Sequence, residues 1–228
     1  MRLESARQSI EAVVGKPLIS LPGCRDLNLV NKGAVGQVLE RIIGLTNTSA
    51  PLDFEDGELK TNQVKWGGYP KETMGIMVIS KITDKLLFPH TFEQSDLYYK
   101  IRNVLFVPVY YHNTDIPVYN WMFLPPLHAN LDKPEFKDIK QRLKGDYEYI
   151  IKELRNRIDT RQDLYRQIDA DFIQIRNKDS KDRSGHYHPI FSYKVGRYIS
   201  DRNHGFYFKK EFMRFLQQQS PHYPYYGE

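Results

Sequence analysis

Three short apolar runs set the fold class of this chain. They are Met74-Gly75-Ile76-Met77-Val78-Ile79, Val104-Leu105-Phe106-Val107-Pro108-Val109-Tyr110 and Val118-Tyr119-Asn120-Trp121-Met122-Phe123-Leu124. Each has the length and the β-branched and aromatic content of a buried strand. Elsewhere the apolar residues recur at helical spacing. Leu3, Ala6, Ile10, Val13 and Val14 precede Gly15, and Val35, Val38, Leu39, Ile42 and Ile43 lie between Gly33 and Gly44. Ile139, Leu143, Tyr147, Ile150, Ile151, Leu154 and Ile158 form one face of a long helix over residues 134–158. Strand-like stretches follow at 172–176 and 190–193, then a closing helix at 209–217. Residues 16–32 read as a loop, and the Pro- and Tyr-rich tail from Ser220 as irregular. Strands flanked by helices give an α/β or α+β architecture with a central sheet. Pro108 has no N–H to donate, which puts its strand at an edge or a bulge.

The 228 residues suit one large domain or two small ones, and a 40% hydrophobic share can build a core. No apolar run approaches the roughly 18 residues of a membrane span. The N-terminal residues Met1-Arg2-Leu3-Glu4-Ser5 lead into an amphipathic pattern, not a signal peptide. A single cysteine, Cys24, excludes an internal disulfide framework and a multi-cysteine zinc site. The expected compartment is the cytoplasm. A net charge of +5 favours a polyanionic partner.

The segment most loaded with chemistry is Asp53-Phe54-Glu55-Asp56-Gly57-Glu58-Leu59-Lys60. On a strand, alternate residues share a face, so Glu58 and Lys60 stand side by side and Leu59 points into the core. Asp53 adds a second carboxylate from across a glycine turn. Two carboxylates that hold a hard divalent cation beside a lysine suit metal-assisted phosphodiester hydrolysis. On an exposed strand the same triplet is a solvated ion pair worth almost nothing. Upstream, Gly33, Gly36 and Glu40 share one helical stripe. Each glycine costs the helix roughly 1 kcal/mol relative to alanine, which suggests that a loop or a phosphate backbone comes close there. The alternative is a packing glycine pair beside an ordinary surface glutamate.

In the catalytic reading Asp53 and Glu58 bind Mg²⁺, and Glu40 acts through a metal-bound water or a second ion. Lys60 orients or helps deprotonate the attacking water. The products are a 5′-phosphate and a 3′-hydroxyl. Lys100 adds charge, or else is a lysine snorkelling at the surface. His186 and His188 are spaced for metal binding but lack a visible third ligand. The chain has neither a glycine-rich phosphate loop nor a Gly-x-Ser-x-Gly elbow.

Toward the C-terminus, Gln174-Ile175-Arg176-Asn177-Lys178 alternates polar and apolar residues. Arg and Lys are the usual partners of guanine in the major groove. Arg183, Lys194, Arg197 and Arg202 follow, interleaved with Tyr187, Tyr193 and Tyr198, a mixture suited to phosphate and base contacts. Residue by residue, a solvated basic loop fits equally.

Taken in order, these blocks resemble the MutH family, which holds a mismatch-repair nicking endonuclease and related type II restriction enzymes within the PD-(D/E)xK superfamily. The resemblance is carried by Gly33–Glu40, Asp53–Thr61, Lys100–Pro108, Gln174–Lys178 and Gly205-Phe206-Tyr207-Phe208-Lys209-Lys210. It implies a metal set of Glu40, Asp53 and Glu58, a catalytic Lys60 and an auxiliary Lys100. It implies that Arg176 and Lys178 reach bases and that Tyr207 lies near the methylation-sensitive base; Arg183 and Lys194 are added as DNA contacts from the basic and aromatic pattern alone. It implies a restriction-endonuclease-like fold with a mixed sheet and two lobes around a DNA cleft. The catalytic lobe is then residues 1–130 and the DNA-reading lobe 131–228. One departure stands out. In relatives the metal-binding Asp lies seven positions before the Glu, where this chain has Pro51. Asp53 is the first candidate for that role and Asp56 the second.

Three functions compete. The leading one is a type II restriction endonuclease cutting duplex DNA at a short site, GATC by the family's habit, with a cognate methyltransferase as its functional partner. The second is a mismatch-repair nickase acting on hemimethylated DNA. The third is a DNA-binding protein with a degenerate site. A palindromic target calls for a homodimer or for two sequential nicks.

Overall fold

A parallel strand pair organises one of the two compact units into which the chain divides. The computed structural model describes residues 1–22, 24, 33–45, 50–111, 117–162 and 167–222. Residues 23 and 25–32 of the expected loop, and the tail from 223, lie outside the described residues. The elements in chain order are α1 (Leu3–Glu11), α2 (Ala34–Ile42), β1 (Glu58–Val64), β2 (Met74–Val78), α3 (Thr83–Leu87), α4 (Asp96–Ile101) and β3 (Asn103–Tyr110). They continue with β4 (Met122–Phe123), β5 (Leu127–Asn130), α5 (Lys137–Asp159), β6 (Ile168–Asp169), β7 (Ile173–Asn177), β8 (Ile190–Ser192), β9 (Arg197–Ser200), β10 (His204–Phe208) and α6 (Lys210–Gln218). Among the described residues no helix is long and apolar enough to cross a membrane.

The first unit comprises Met1–Glu72, Ile101–Asp132 and Met213–Glu228. Here β1 runs parallel to β3, with Glu58 opposite Val104 and Lys60 opposite Phe106. A parallel pair cannot be closed by a tight turn and needs a long crossover. This chain makes its crossover through Thr73–Lys100, which belongs to the second unit. On its other side β3 pairs antiparallel with β5 and β4. One core gathers Leu3, Ala6 and Ile10 of α1, Val35, Val38 and Leu39 of α2, Leu59, and Leu105, Val107 and Val109 of β3. The mixed sheet with helices packed on it is the α+β architecture expected.

Of the two positions expected for Pro108, an edge or a bulge, the edge is not what forms, since β3 is flanked on both sides. The β5 ladder ends at Phe106 and the β4 ladder begins at Val109, so Pro108 sits in the gap between them. Its carbonyl accepts the Leu124 N–H on that side. In a strand a residue's N and C=O point the same way, so the missing donor falls where no ladder partner is required. The strand expected over 118–124 is also corrected. It shrinks to Met122–Phe123, preceded by a 3₁₀ turn at Val118–Asn120.

The second unit comprises Thr73–Lys100 and Lys133–Phe212. Its sheet has the antiparallel order β2-β10-β7-β6. The pairing of β2 with β10 ties residues 74–78 to 204–208, so residues 73–100 group with the later part of the chain, not with the earlier part. The α5 stripe is buried as its periodicity predicts, and Tyr147 reaches Phe206 of β10 with ring centroids 6.4 Å apart. A separate β8–β9 hairpin is fastened to α3, where Asp84 accepts hydrogen bonds from Ser192 Oγ and the Tyr193 and Lys194 N–H groups.

One buried carboxylate joins α5 to β7. Asp146 accepts the N–H groups of Asp171, Phe172 and Ile173 at 3.1, 2.6 and 3.1 Å. Removing it orphans buried donors. Asp146→Ala should cost about 2–3 kcal/mol, roughly 5–10 °C in thermal melting followed by circular dichroism. An unchanged melting temperature would show that the three donors find other partners.

Candidate active site and nucleic-acid interface

The turn before β1 builds the first unit's polar cluster. Phe54 N–H donates to the Gly57 carbonyl at 2.9 Å and closes the turn. A Cβ on Gly57 would lie 2.6 Å from the Asn103 carbonyl and 2.8 Å from Leu3 Cδ1, so only glycine fits. From the near side of this turn Asp53 Oδ2 accepts the Leu59 N–H at 2.9 Å. Asp56, the competing candidate, is engaged elsewhere: its Oδ1 accepts the Leu3 N–H at 2.9 Å, at the start of α1.

On β1 the alternation holds. Leu59 is in the core, and Lys60 Nζ donates to Glu58 Oε1. Glu58 is 2% exposed, so this pair is not the solvated surface triplet. The stripe on α2 also acquires a meaning. A Cβ on Gly36 would stand 3.4 Å from Thr61 Oγ1, so within the protein the element beside it is β1. One turn further along α2, Glu40 feels the cluster. Burial and the charges of Asp53 and Glu58 raise its pKa, while Lys60 opposes them.

Glu40, Asp53, Glu58 and Lys60 thus form one electrostatic neighbourhood. Lys100 is on α4 and groups with the second unit. Three oxygen-bearing acids suit a hard cation such as Mg²⁺. Among the described residues no three His, Cys, Asp or Glu form a group that could hold a metal. The Glu58 carboxylate is turned to Lys60, so a cation taken up there must share or displace that ion pair. The donor chemistry fits a divalent metal, whereas a finished coordination shell is not preformed.

Sequence reasoning missed Asn103 as a support. Its Nδ2 donates to the Asp56 carbonyl at 2.6 Å, and its Oδ1 pairs with His128 Nε2 at 2.7 Å. The side chain therefore braces the turn that carries Asp53. Asn103 lies in the Lys100–Pro108 block, but nothing in the block's pattern marks it as a brace.

In the second unit, Gln174, Arg176 and Lys178 share one face of β7 and its extension. Gln174 is buried, its Oε1 accepting from Gln167 Nε2 at 2.6 Å, so it is not a surface reader. Arg176 lies opposite Gly205, donates to Thr73 Oγ1 at 2.9 Å, and stacks over Tyr207 at 5.2 Å. The Lys178 chain crosses Gly205 and Gly75 toward the same ring. A Cβ on Gly205 would meet Lys178 Cδ at 2.9 Å, one on Gly75 would meet Lys178 Nζ at 3.2 Å, and Nζ is 5.6 Å from the Tyr207 centroid. Two cations and a tyrosine gathered over glycines can offer donors and a flat face to a polyanion.

Arg183 is exposed in the turn after β7. Lys194, expected as a DNA contact, is exposed and also makes contacts within the protein. Its Nζ donates to the Leu87 carbonyl and lies 4.2 Å from the Phe88 ring centroid, which makes it a tie between the β8–β9 turn and α3.

The raised pKa of Glu40 has a testable sign. Its charged form is disfavoured in the fold, so it weakens the protein above that pKa, and the penalty lifts as pH falls through it. Glu40→Gln removes the penalty and should raise the melting temperature at pH 7 in EDTA by roughly 1–3 °C, with a smaller gain at pH 4. A lower melting temperature at pH 7 would place Glu40 in a net favourable interaction.

Residues 45–142 match the family model described as DNA mismatch repair enzyme MutH. The matched stretch contains Asp53, Glu58, Lys60 and Lys100. Glu40 and the residues of β7 and β10 fall outside it. No curated protein matches the chain.

Proposed function

We propose that this chain, assigned to the MutH-like nucleases through residues 45–142, is a type II restriction endonuclease. It makes Mg²⁺-dependent cuts in both strands of duplex DNA at a short site, with GATC the first to test. The observation that carries the chemistry is the buried Glu58 carboxylate paired with the half-buried Lys60 on β1, with Asp53 and Glu40 beside it. A buried carboxylate held by a lysine is expensive to maintain and needs a reason beyond stability.

Asp53 and Glu58 are the residues that would hold Mg²⁺, with Glu40 completing the acidic set. The metal supplies a water of lowered pKa and positive charge for the phosphate. The protein's own part centres on Lys60. Its ammonium would hold the attacking water by hydrogen bond and offset charge growing on the phosphate. Glu40, whose proton affinity is already raised by burial and by Asp53, is suited to accept a proton. In the second unit, Arg176, Lys178 and Tyr207 are the proposed DNA readers, and Arg183 a phosphate contact.

The printed family description favours a second reading, a mismatch-repair nickase. Digestion of unmethylated plasmid with Mg²⁺ or with EDTA, followed by sequencing of the ends, separates the two. Discrete Mg²⁺-dependent double-strand breaks are expected. Nicks alone would support the repair enzyme, and no cleavage with any divalent metal would sink both. Lys60→Ala should keep DNA binding within about threefold and lose about 10³-fold in cleavage rate. Surviving cleavage would remove Lys60 from the chemistry.

A further inference from the structure

Between β7 and β8 the chain makes a long excursion that is tied down by its own acidic side chains. Asp179 N–H donates to Asn177 Oδ1 at 2.9 Å. Asp182 Oδ1 accepts the N–H groups of Ser184 and His186 at 2.8 and 3.0 Å, and Asp182 N–H donates to the His186 carbonyl at 2.8 Å. The main fastening is Asp179, whose side chain is 5% exposed. It accepts the His188 N–H at 2.6 Å, pairs with His188 Nδ1 at 2.8 Å and accepts the Asn203 N–H at 3.0 Å. Burial works against its charge, but these hydrogen bonds prevail and bring its pKa to about 2.

The consequence is an asymmetry of charge. The Asp179 carboxylate is spent inward on backbone and imidazole groups, while Lys181 and Arg183 stand exposed. Tyr187 lies beneath two cations: Arg202 is 4.4 Å and Lys181 5.6 Å from its ring centroid. The segment follows Lys178 directly, and the Lys178 N–H is itself bonded to the Asn203 carbonyl at 3.0 Å. Ordering so long a polar segment costs conformational entropy that a binding loop would otherwise lose on meeting its ligand.

We propose that residues 179–188 are a preorganised phosphate-binding loop for duplex DNA, in which Lys181 and Arg183 contact the backbone and Asp179 is the positioning residue that holds them in place. The inference rests on the nuclease reading above, which already gives Arg183 a phosphate contact, and adds Lys181 and the fastening that holds the loop in place. Asp179 touches no nucleic acid. It acts through the loop.

The test is binding of the full chain to a short fluorescent duplex in EDTA over a range of salt, paired with plasmid cleavage in Mg²⁺. A double variant, Lys181→Gln/Arg183→Gln, should weaken binding about 10-fold or more and lower the slope of log affinity against log salt by about 2, since each phosphate contact contributes about 0.9. Asp179→Asn gives the sharper readout. It adds a unit of positive charge, so bulk electrostatics alone predicts tighter binding, whereas an unfastened loop predicts binding about 10-fold weaker with a reduced slope. A folded Asp179→Asn protein that binds as tightly as wild type, or more tightly, overturns the positioning role. If that variant does not fold, the exposed double variant decides: unchanged affinity and slope overturn the loop. Wild-type protein that neither binds nor cuts duplex DNA sinks the nuclease reading itself, whereas wild-type cutting with an indifferent double variant sinks only the loop.

Discussion

The parallel register of β1 on β3 is the constraint from which the first unit's chemistry follows. It places Glu58 opposite Val104 and Lys60 opposite Phe106, at the end of β1 nearest the Phe54–Gly57 turn. The Asn103 side chain, one residue before Val104, then reaches back to the Asp56 carbonyl. Gly57 leaves no room for a side chain between that turn and β3. Shifting the register by one residue would turn Leu59 outward and bury Lys60. The burial of the Leu59 side chain in the core with α1, α2 and β3 therefore holds the acidic site in place, while its N–H donates to Asp53.

Within that frame the charges are in tension. Glu58 is buried and neutralised by Lys60, Asp53 is held by a backbone N–H, and Glu40 carries the residual strain as a raised pKa. Burying the Glu58 carboxylate is costly unless a positive charge stays beside it. Such a cluster makes sense where another positive charge joins it during the working cycle. The second unit solves the opposite problem: Asp179 and Asp146 turn acid inward to organise backbone, and cationic and aromatic groups are left outward.

Much of this was legible in the sequence because it depends on period. The β1 alternation, the α5 stripe and the assignment of Arg176 to the polar face of β7 all follow from spacing. What failed depends on pairing that spacing cannot encode. Pro108 suggests an edge or a bulge, yet two partners on one side leave a gap that accommodates it. Val118–Leu124 has strand composition, but only Met122 and Phe123 meet a ladder. Spacing ranks Asp53 ahead of Asp56, but it does not show that one turns to Leu59 and the other to the start of α1. Asp179 reads as one more charge in a polar stretch, because its donors at His188 and Asn203 lie far along the chain. Lys194 shows the converse: a basic residue in a basic segment whose amine is used internally.

The central claim is that the acids beside Lys60 take up a divalent cation when DNA is present. Electron paramagnetic resonance of Mn²⁺ tests it most directly, on Lys60→Ala protein bound to duplex DNA so that cleavage does not intervene. The account predicts an ordered, protein-bound Mn²⁺ signal that disappears when Glu58→Gln is added, with DNA binding retained. An equal Mn²⁺ signal with and without Glu58, or no bound Mn²⁺ in either protein, would contradict it.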